Sequence, residues 1–267
     1  MPNCTTFLDA NASSPSRVAL IVPSTGEGYT RAELLDLVSR VGRGFQGLGI
    51  TPGERVCIYL DTSTEYLLSY LALWRIGAVA VPTNRVYREN ELLYALRDAG
   101  AAAVITDVDG MAVVGRIREH VPGLRHIIAV GGEEAGAATP WSDLLVSPPG
   151  LRAVNCRFDD LCQIQYTSGT TGRPKGAMLT HGNWIAAMDA ERDVLGITDR
   201  DLYLGIYPMG HVGISWGISA LRAGATYIVM ERFDLDRYIE LARKYRATIV
   251  AGMPPVIHSL LQTPPGT

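Results

Sequence analysis

The sequence predicts an α/β fold of mainly parallel, doubly wound sheets with flanking helices. Strand-like apolar runs alternate with helix-like segments along most of the chain, an order that calls for crossover connections and parallel strands. Two Thr-x-x-Glu capping boxes mark helix starts within that alternation. The 267 residues are 47% hydrophobic and 19% charged, enough apolar material for a large core.

Residues 17–23, RVALIVP, read as a strand or the edge of one. Thr30-Arg-Ala-Glu33 is the first capping box. Leu34, Val38, Val41, Phe45 and Leu48 follow it at helical spacing. TPGE at 51–54 is a turn and RVCIYL at 55–60 a strand. The second box, Thr62 to Glu65, opens a helix that ends near Gly77. AVAVP at 78–82 reads as a buried strand and 88–99 as an amphipathic helix closed by Gly100. A strand at 101–106, a helix near 110–120 and a strand at 124–130 follow.

Residues 131–160 change character. GGEEAGAATP and VSPPG are loop compositions around a short helical patch, WSDLL, and the segment is expected to connect two layers or subdomains. The alternation then resumes with LCQIQYT, a glycine-rich loop, AMLT and a helix from about 181 to 195. LYLGIYP, a helix at 214–222, ATYIVM, a helix at 234–245, TIVAG and a helix at 254–262 complete the chain. No internal repeat is visible.

The net charge of −3 offers no basic field for nucleic acid or an anionic membrane. The first residues, MPNCTTFLDANASSPSR, hold no apolar run, so no signal peptide is expected. The longest apolar stretch, LLSYLALWRIGAVAVP, is interrupted by Arg75, Gly77 and Pro82 and is too short for a transmembrane segment. Cys4, Cys57, Cys156 and Cys162 form no Cys-x-x-Cys pair and read as structural thiols in a reducing cytoplasm. The five histidines lack ligand spacing, so the sequence lends no support to a zinc site.

Gly42-Arg-Gly44-Phe-Gln-Gly47 matches a dinucleotide-binding pattern. That pattern has to follow a strand and open a helix, whereas here it lies late in an amphipathic helix. The loop TSGTTGRPKG at 167–176 is a different case. It follows the apolar strand LCQIQY, and its glycines allow consecutive amides to face inward. Thr167, Ser168, Thr170 and Thr171 add hydroxyl donors, Pro174 stiffens the approach, and Lys175 adds a mobile point charge. Lys175 and Lys244 are the only lysines in the chain. Together these residues suit a polyphosphate, although composition alone also allows a merely flexible Ser/Gly/Thr surface loop. A Walker A loop is excluded, because Gly176 rather than Ser or Thr follows the lysine.

The string YTSGTTGRPKGAMLTH closely resembles the phosphate-binding signature of the adenylate-forming superfamily, which contains the acyl- and aryl-CoA synthetases. LALWRIGAVAVPTN (71–84), YPMGHVG (207–213), LRAGATYIVMERFD and YRATIVAGMPPVIHSLL resemble further segments of that family, so the likeness runs from about residue 15 to 262. The resemblance implies ATP, Mg²⁺ and coenzyme A as cofactors and a small carboxylic acid as substrate, joined to AMP and then passed to a thiol. It implies that Thr167, Ser168, Gly169, Thr170, Thr171, Gly172 and Lys175 hold the phosphates. His211 and Lys175 become the catalytic candidates, and His211, Val212 and Gly213 border the acyl group. His181 reads equally well as a polar residue at a helix N-terminus, and His258 as structural.

Gly210 stands where the family commonly carries an aromatic residue, and is expected to widen the pocket or leave it less ordered. The segment Gly-His-Val-Gly-Ile at 210–214 lacks the acid with which amino-acid-activating relatives pair an ammonium, which favours an unaminated fatty, other acyl or aryl acid. The family normally runs to about twice this length. The resemblance therefore implies a partial N-terminal AMP-binding domain over residues 1–267, without the C-terminal domain. Such a piece is expected to bind nucleotide weakly, to be inactive alone, and either to be less stable than the parent or to hide its uncovered strand edge and apolar helix face by self-association. Two alternatives stand beside this reading: part of an adenylation domain that loads a carrier protein, and a non-catalytic nucleotide- or acyl-binding protein.

Overall fold

The structure, a computed structural model, describes residues 2–132, 138–167, 174–210 and 213–263. A short helix α1 (Thr6–Asn11) leads into a hairpin of β1 (Val18–Val22) and β2 (Glu27–Thr30). Then follow α2 (Arg31–Gly47), β3 (Arg55–Tyr59), α3 (Thr64–Arg75), β4 (Val79–Pro82), α4 (Glu89–Ala99), β5 (Ala103–Asp107) and α5 (Val108–Ile117). A 3₁₀ turn (Arg118–His120) leads to β6 (His126–Val130), β7 (Thr139–Pro140) and α6 (Trp141–Leu145). The last third is β8 (Leu161–Thr167), β9 (Lys175–Thr180), α7 (His181–Leu195), β10 (Leu202–Gly205), α8 (Gly213–Arg222), β11 (Thr226–Val229), α9 (Leu235–Tyr245), β12 (Ile249–Val250) and α10 (Pro254–Leu261).

The strands form two sheets, ordered β12-β10-β11-β1-β2 and β7-β6-β5-β3-β4-β8-β9. Every pairing is parallel except the two hairpins, β1 with β2 and β8 with β9. The expected α/β class with mainly parallel sheets is what the chain forms. The expected first strand forms as β1, flanked by β11 on one side and on the other by β2, which is absent from the sequence reading. Of the segment 131–160, expected to join two layers or subdomains, the described part from 138 onward adds β7 to the seven-stranded sheet and leads to β8 of the same sheet.

One core lies between the sheets. Leu20, Tyr203 and Ile228 of the smaller sheet and Val56, Ile58 and Ala80 of the larger one pack there with α2 and α3. A second core on the far face of the larger sheet is closed by Leu92 and Leu96 of α4 and Val114 and Ile117 of α5. The apolar face foreseen for α2 is the one buried, and Thr30 and Glu33 close the capping box. The start of α3 differs from expectation. Ser63, not Thr62, caps the helix, its hydroxyl accepting from Tyr66 N–H at 3.1 Å. Thr62 instead accepts from Met209 N–H at 3.0 Å, because its hydroxyl faces the β10–α8 connection.

Two of the three glycines of the GxGxxG string, Gly42 and Gly44, serve packing. A Cβ on Gly44 would stand 2.7 Å from the backbone of Leu144, so only glycine lets α6 approach α2 this closely. Arg75, an interruption in the apolar run when read as sequence, is buried. Its guanidinium donates to Asp9 of α1 at 2.6 and 3.1 Å and to Leu151 O at 2.7 Å. One buried cation thus ties the first helix, α3 and the chain that leads back to β8, with its donors satisfied as burial requires.

Candidate active site

Strand β8 runs in from the core and β9 returns beside it at the edge of the larger sheet. The first part of β8 is apolar and buried, which anchors the strand. Tyr166 donates to Asp98 at 2.7 Å and packs edge-on against Tyr94. Thr167 and Lys175 are the last Cα partners of the hairpin, and both side chains are exposed at its tip. Lys175 has no ion-pair partner among the described residues. The chain between them carries the candidates Ser168, Gly169, Thr170, Thr171 and Gly172, which lie outside the described residues, as do His211 and Val212. The structure thus brings the two described ends of the loop together.

The same strand reaches the segment that precedes His211. Gln165 donates to Gly210 O at 3.3 Å, and Gln163 donates to Gln165 Oε1 at 2.9 Å while accepting Trp184 Nε1–H at 2.6 Å. The chain of hydrogen bonds runs from α7 through β8 to the turn before α8. Sequence reading passed over both glutamines. Two polar residues two apart in an otherwise apolar strand lie on one face, and that was the available signal.

Gly210 does not widen the site. Its Cβ direction is closed by Thr83 O at 2.9 Å and Tyr66 OH at 3.7 Å, so an aromatic side chain would meet backbone there. Gly213, the third acyl-side candidate, opens α8, and a Cβ on it would lie 2.0 Å from Cβ of Tyr207. Close packing therefore accounts for this glycine directly.

A groove of about 200 Å³ lies between the hairpin, α7 and α8, with Gln165, Leu179, Trp184 and Ile214 on its walls. Glu191 holds its far end, accepting from Ser215 at 3.0 Å and from Ser219. Asp189 clamps the same two helices through both its oxygens to Arg222, at 2.9 and 3.0 Å. Arg222 and the nearby Arg192 hold the Asp189 carboxyl below its ordinary value.

His181 is the first residue of α7 and lies in the core. Its Nδ1 accepts the Cys4 amide at 3.2 Å. Burial pushes its pKa down to about 4, so the ring is neutral at physiological pH. His258, expected to be structural, is exposed on α10 and pairs with Gln262 at 2.8 Å.

No described cluster suits Mg²⁺. The one grouping of three ligand atoms among the described residues is Cys4, Cys162 and His181, and Mg²⁺ demands oxygen.

Two parallel-rich sheets around a shared helical layer, with a Thr/Gly/Lys hairpin at one edge, define an adenylate-forming fold. The chain belongs to the AMP-binding enzyme family, which matches residues 7–267. It is 30% identical over 273 residues to 4-coumarate–CoA ligase 3 of Arabidopsis thaliana, covering 99% of this chain and 48% of that one. It is 30% identical to crotonobetaine/carnitine–CoA ligase of Escherichia coli O139:H28, covering 93% and 50%. The solved N-terminal domain of FACL13 from Mycobacterium tuberculosis superposes with a TM-score of 0.90 at 29% identity, covering 99% of this chain and 66% of that one. ATP-bound MatB from Rhodopseudomonas palustris gives 0.88 at 29% identity, covering 98% and 51%. The chain therefore spans about half the length of the curated relatives it matches.

Proposed function

We propose that the chain is the N-terminal part of an ATP-dependent, AMP-forming acid–thiol ligase that activates a carboxylic acid and passes the acyl group to coenzyme A. One observation carries the reading: Thr167 and Lys175 are exposed partners at the mouth of the 168–173 loop. A hydroxyl and an ammonium without an ion-pair partner among the described residues, both exposed at one hairpin tip, suit a triphosphate. Relatives that are CoA ligases, and a neighbour solved with ATP, support it.

The chemistry brings two anions together, a carboxylate and the α-phosphate, and charge grows on the departing pyrophosphate. Lys175 follows that charge, while Thr167 and the loop amides fix the phosphates that carry it. Mg²⁺ would ride on the phosphates of ATP with few protein ligands, and no step is assigned to it. His211, outside the described residues, is the candidate to meet the carboxylate, as the family resemblance implies. The groove beside Gln165 and Ile214 takes the acyl portion, and the missing acid at 210–214 favours a substrate without an ammonium. The four unpaired thiols fit a reducing compartment, the cytoplasm.

The 267 residues supply the phosphate-binding half of the reaction and do not complete adenylation alone. The test is acid-dependent exchange between pyrophosphate and ATP. The isolated chain is expected at background. A protein extended to the length of its relatives is expected to exchange and then to form a CoA thioester. Exchange well above background by the isolated chain contradicts the division of labour, and no exchange by the extended protein with any of a broad panel of acids contradicts the function.

A further inference from the structure

Three side chains from distant parts of the sequence meet in the core: Cys4 just before α1, Cys162 near the start of β8 and His181 at the start of α7. All three are 0% exposed, and their ligand atoms lie within 4.8 Å of one another. The imidazole Nδ1 is 3.1 Å from Cys4 Sγ and accepts the Cys4 amide. That bond fixes the tautomer, with the lone pair on the sulfur side and the proton on Nε2. Nε2 is buried without a hydrogen-bond partner among the described residues.

We propose that Cys4, Cys162 and His181 form a binding site for a divalent thiophilic d¹⁰ cation such as Zn²⁺. Two thiols and an imidazole match the ligand preference of such ions, and no carboxylate belongs to the cluster. Charge decides the valence. Two thiolates left bare in the core would be costly, and a divalent ion with two thiolates is neutral. Binding releases one proton from each thiol to solvent, breaks the hydrogen bond from the Cys4 amide because Nδ1 has a single lone pair, and forms two metal–sulfur bonds and one metal–nitrogen bond, with no change of oxidation state. Three protein ligands leave one coordination position for a fourth donor. The site lies at the root of the β8–β9 hairpin, since Cys162 is in β8 and His181 follows the last residue of β9. A bound ion fastens the first segment of the chain to the hairpin that ends at Thr167 and Lys175.

The test titrates the reduced, metal-free 267-residue chain with Cd²⁺ as an optical probe and with Zn²⁺ for thermal stability. One Cd²⁺ per chain is expected, with thiolate-to-metal charge-transfer absorption that saturates at one equivalent. The thermal midpoint is expected to rise with Zn²⁺. Cys4→Ser and Cys162→Ser are expected to abolish both responses and Cys156→Ser to keep them. Absence of the band at stoichiometric Cd²⁺, or its persistence in Cys4→Ser, overturns the proposal. Should the serine variants fail to fold, X-ray absorption on the Cd²⁺-loaded wild-type chain decides. A first shell with two sulfurs and a nitrogen supports the site, and a shell without two sulfurs overturns it.

Discussion

Thr167 and Lys175 face each other across the β8–β9 hairpin as its final paired residues. Their separation in sequence is absorbed by the loop between them, so a hydroxyl and an ammonium reach solvent from the same place. Thr167→Val removes the hydroxyl and keeps the shape. A neutral donor is worth about 0.5–1.5 kcal/mol, so ATP affinity should fall about two- to tenfold. The thermal midpoint should stay put, because the side chain is exposed. Unchanged affinity by calorimetry removes Thr167 from the phosphate site.

Gly213 offers a test of packing at the acyl side. Gly213→Ala places a methyl against the Cβ of Tyr207, and the α8 backbone has to shift to admit it. The expected loss is about 1–3 kcal/mol, read as a lower denaturant midpoint. Gly115→Ala is the control. It is exposed in α5 with nothing near its Cβ direction, and should stabilise by about 0.5–1 kcal/mol. Equal effects of the two changes would mean that the close approach at Tyr207 does not exist.

Asp189 joins α7 to α8 through Arg222. Its carboxyl sits below its ordinary value of 3.8, chiefly because Arg222 donates to it. A depressed carboxylate contributes stability that is present above its unfolded value and is lost as pH falls through its folded value. Wild type should therefore exceed Asp189→Asn near neutral pH, by no more than about 1 kcal/mol for a partly exposed pair. The difference should fade as pH drops below 3.8. A gap that is constant with pH rules out the ion pair as its source.

Much of the scaffold was legible because most core strands are compact apolar runs and long helices such as α2 and α4 bury one stripe, while α3 is buried all round. Helix α7 begins and ends at the expected residues, helped by Thr180 and Gly196 at its ends. Helix α1 and strand β2 escaped notice because they are short and lack a periodic apolar face. Their places are set by distant contacts such as Asp9 with Arg75. The cap at Ser63 rather than Thr62 was a choice between adjacent hydroxyls that only Met209 resolves. The site was half legible. The Gly/Thr/Lys string suggests a polyphosphate through its residue types and its resemblance to the family signature. The Gln165–Gly210 link and the Cys4–Cys162–His181 cluster depend on residues brought together by the sheets, and no spacing rule reaches across such distances.

The central claim is that the hairpin tip grips the phosphates of ATP, and calorimetric titration of the 267-residue chain and its Lys175→Ala variant tests it most directly. Charge-assisted contacts are worth about 1.5–3 kcal/mol. The variant should bind ATP about 10- to 100-fold more weakly, at an unchanged thermal midpoint, while AMP binding moves far less. Equal ATP affinity in the two proteins would contradict the account.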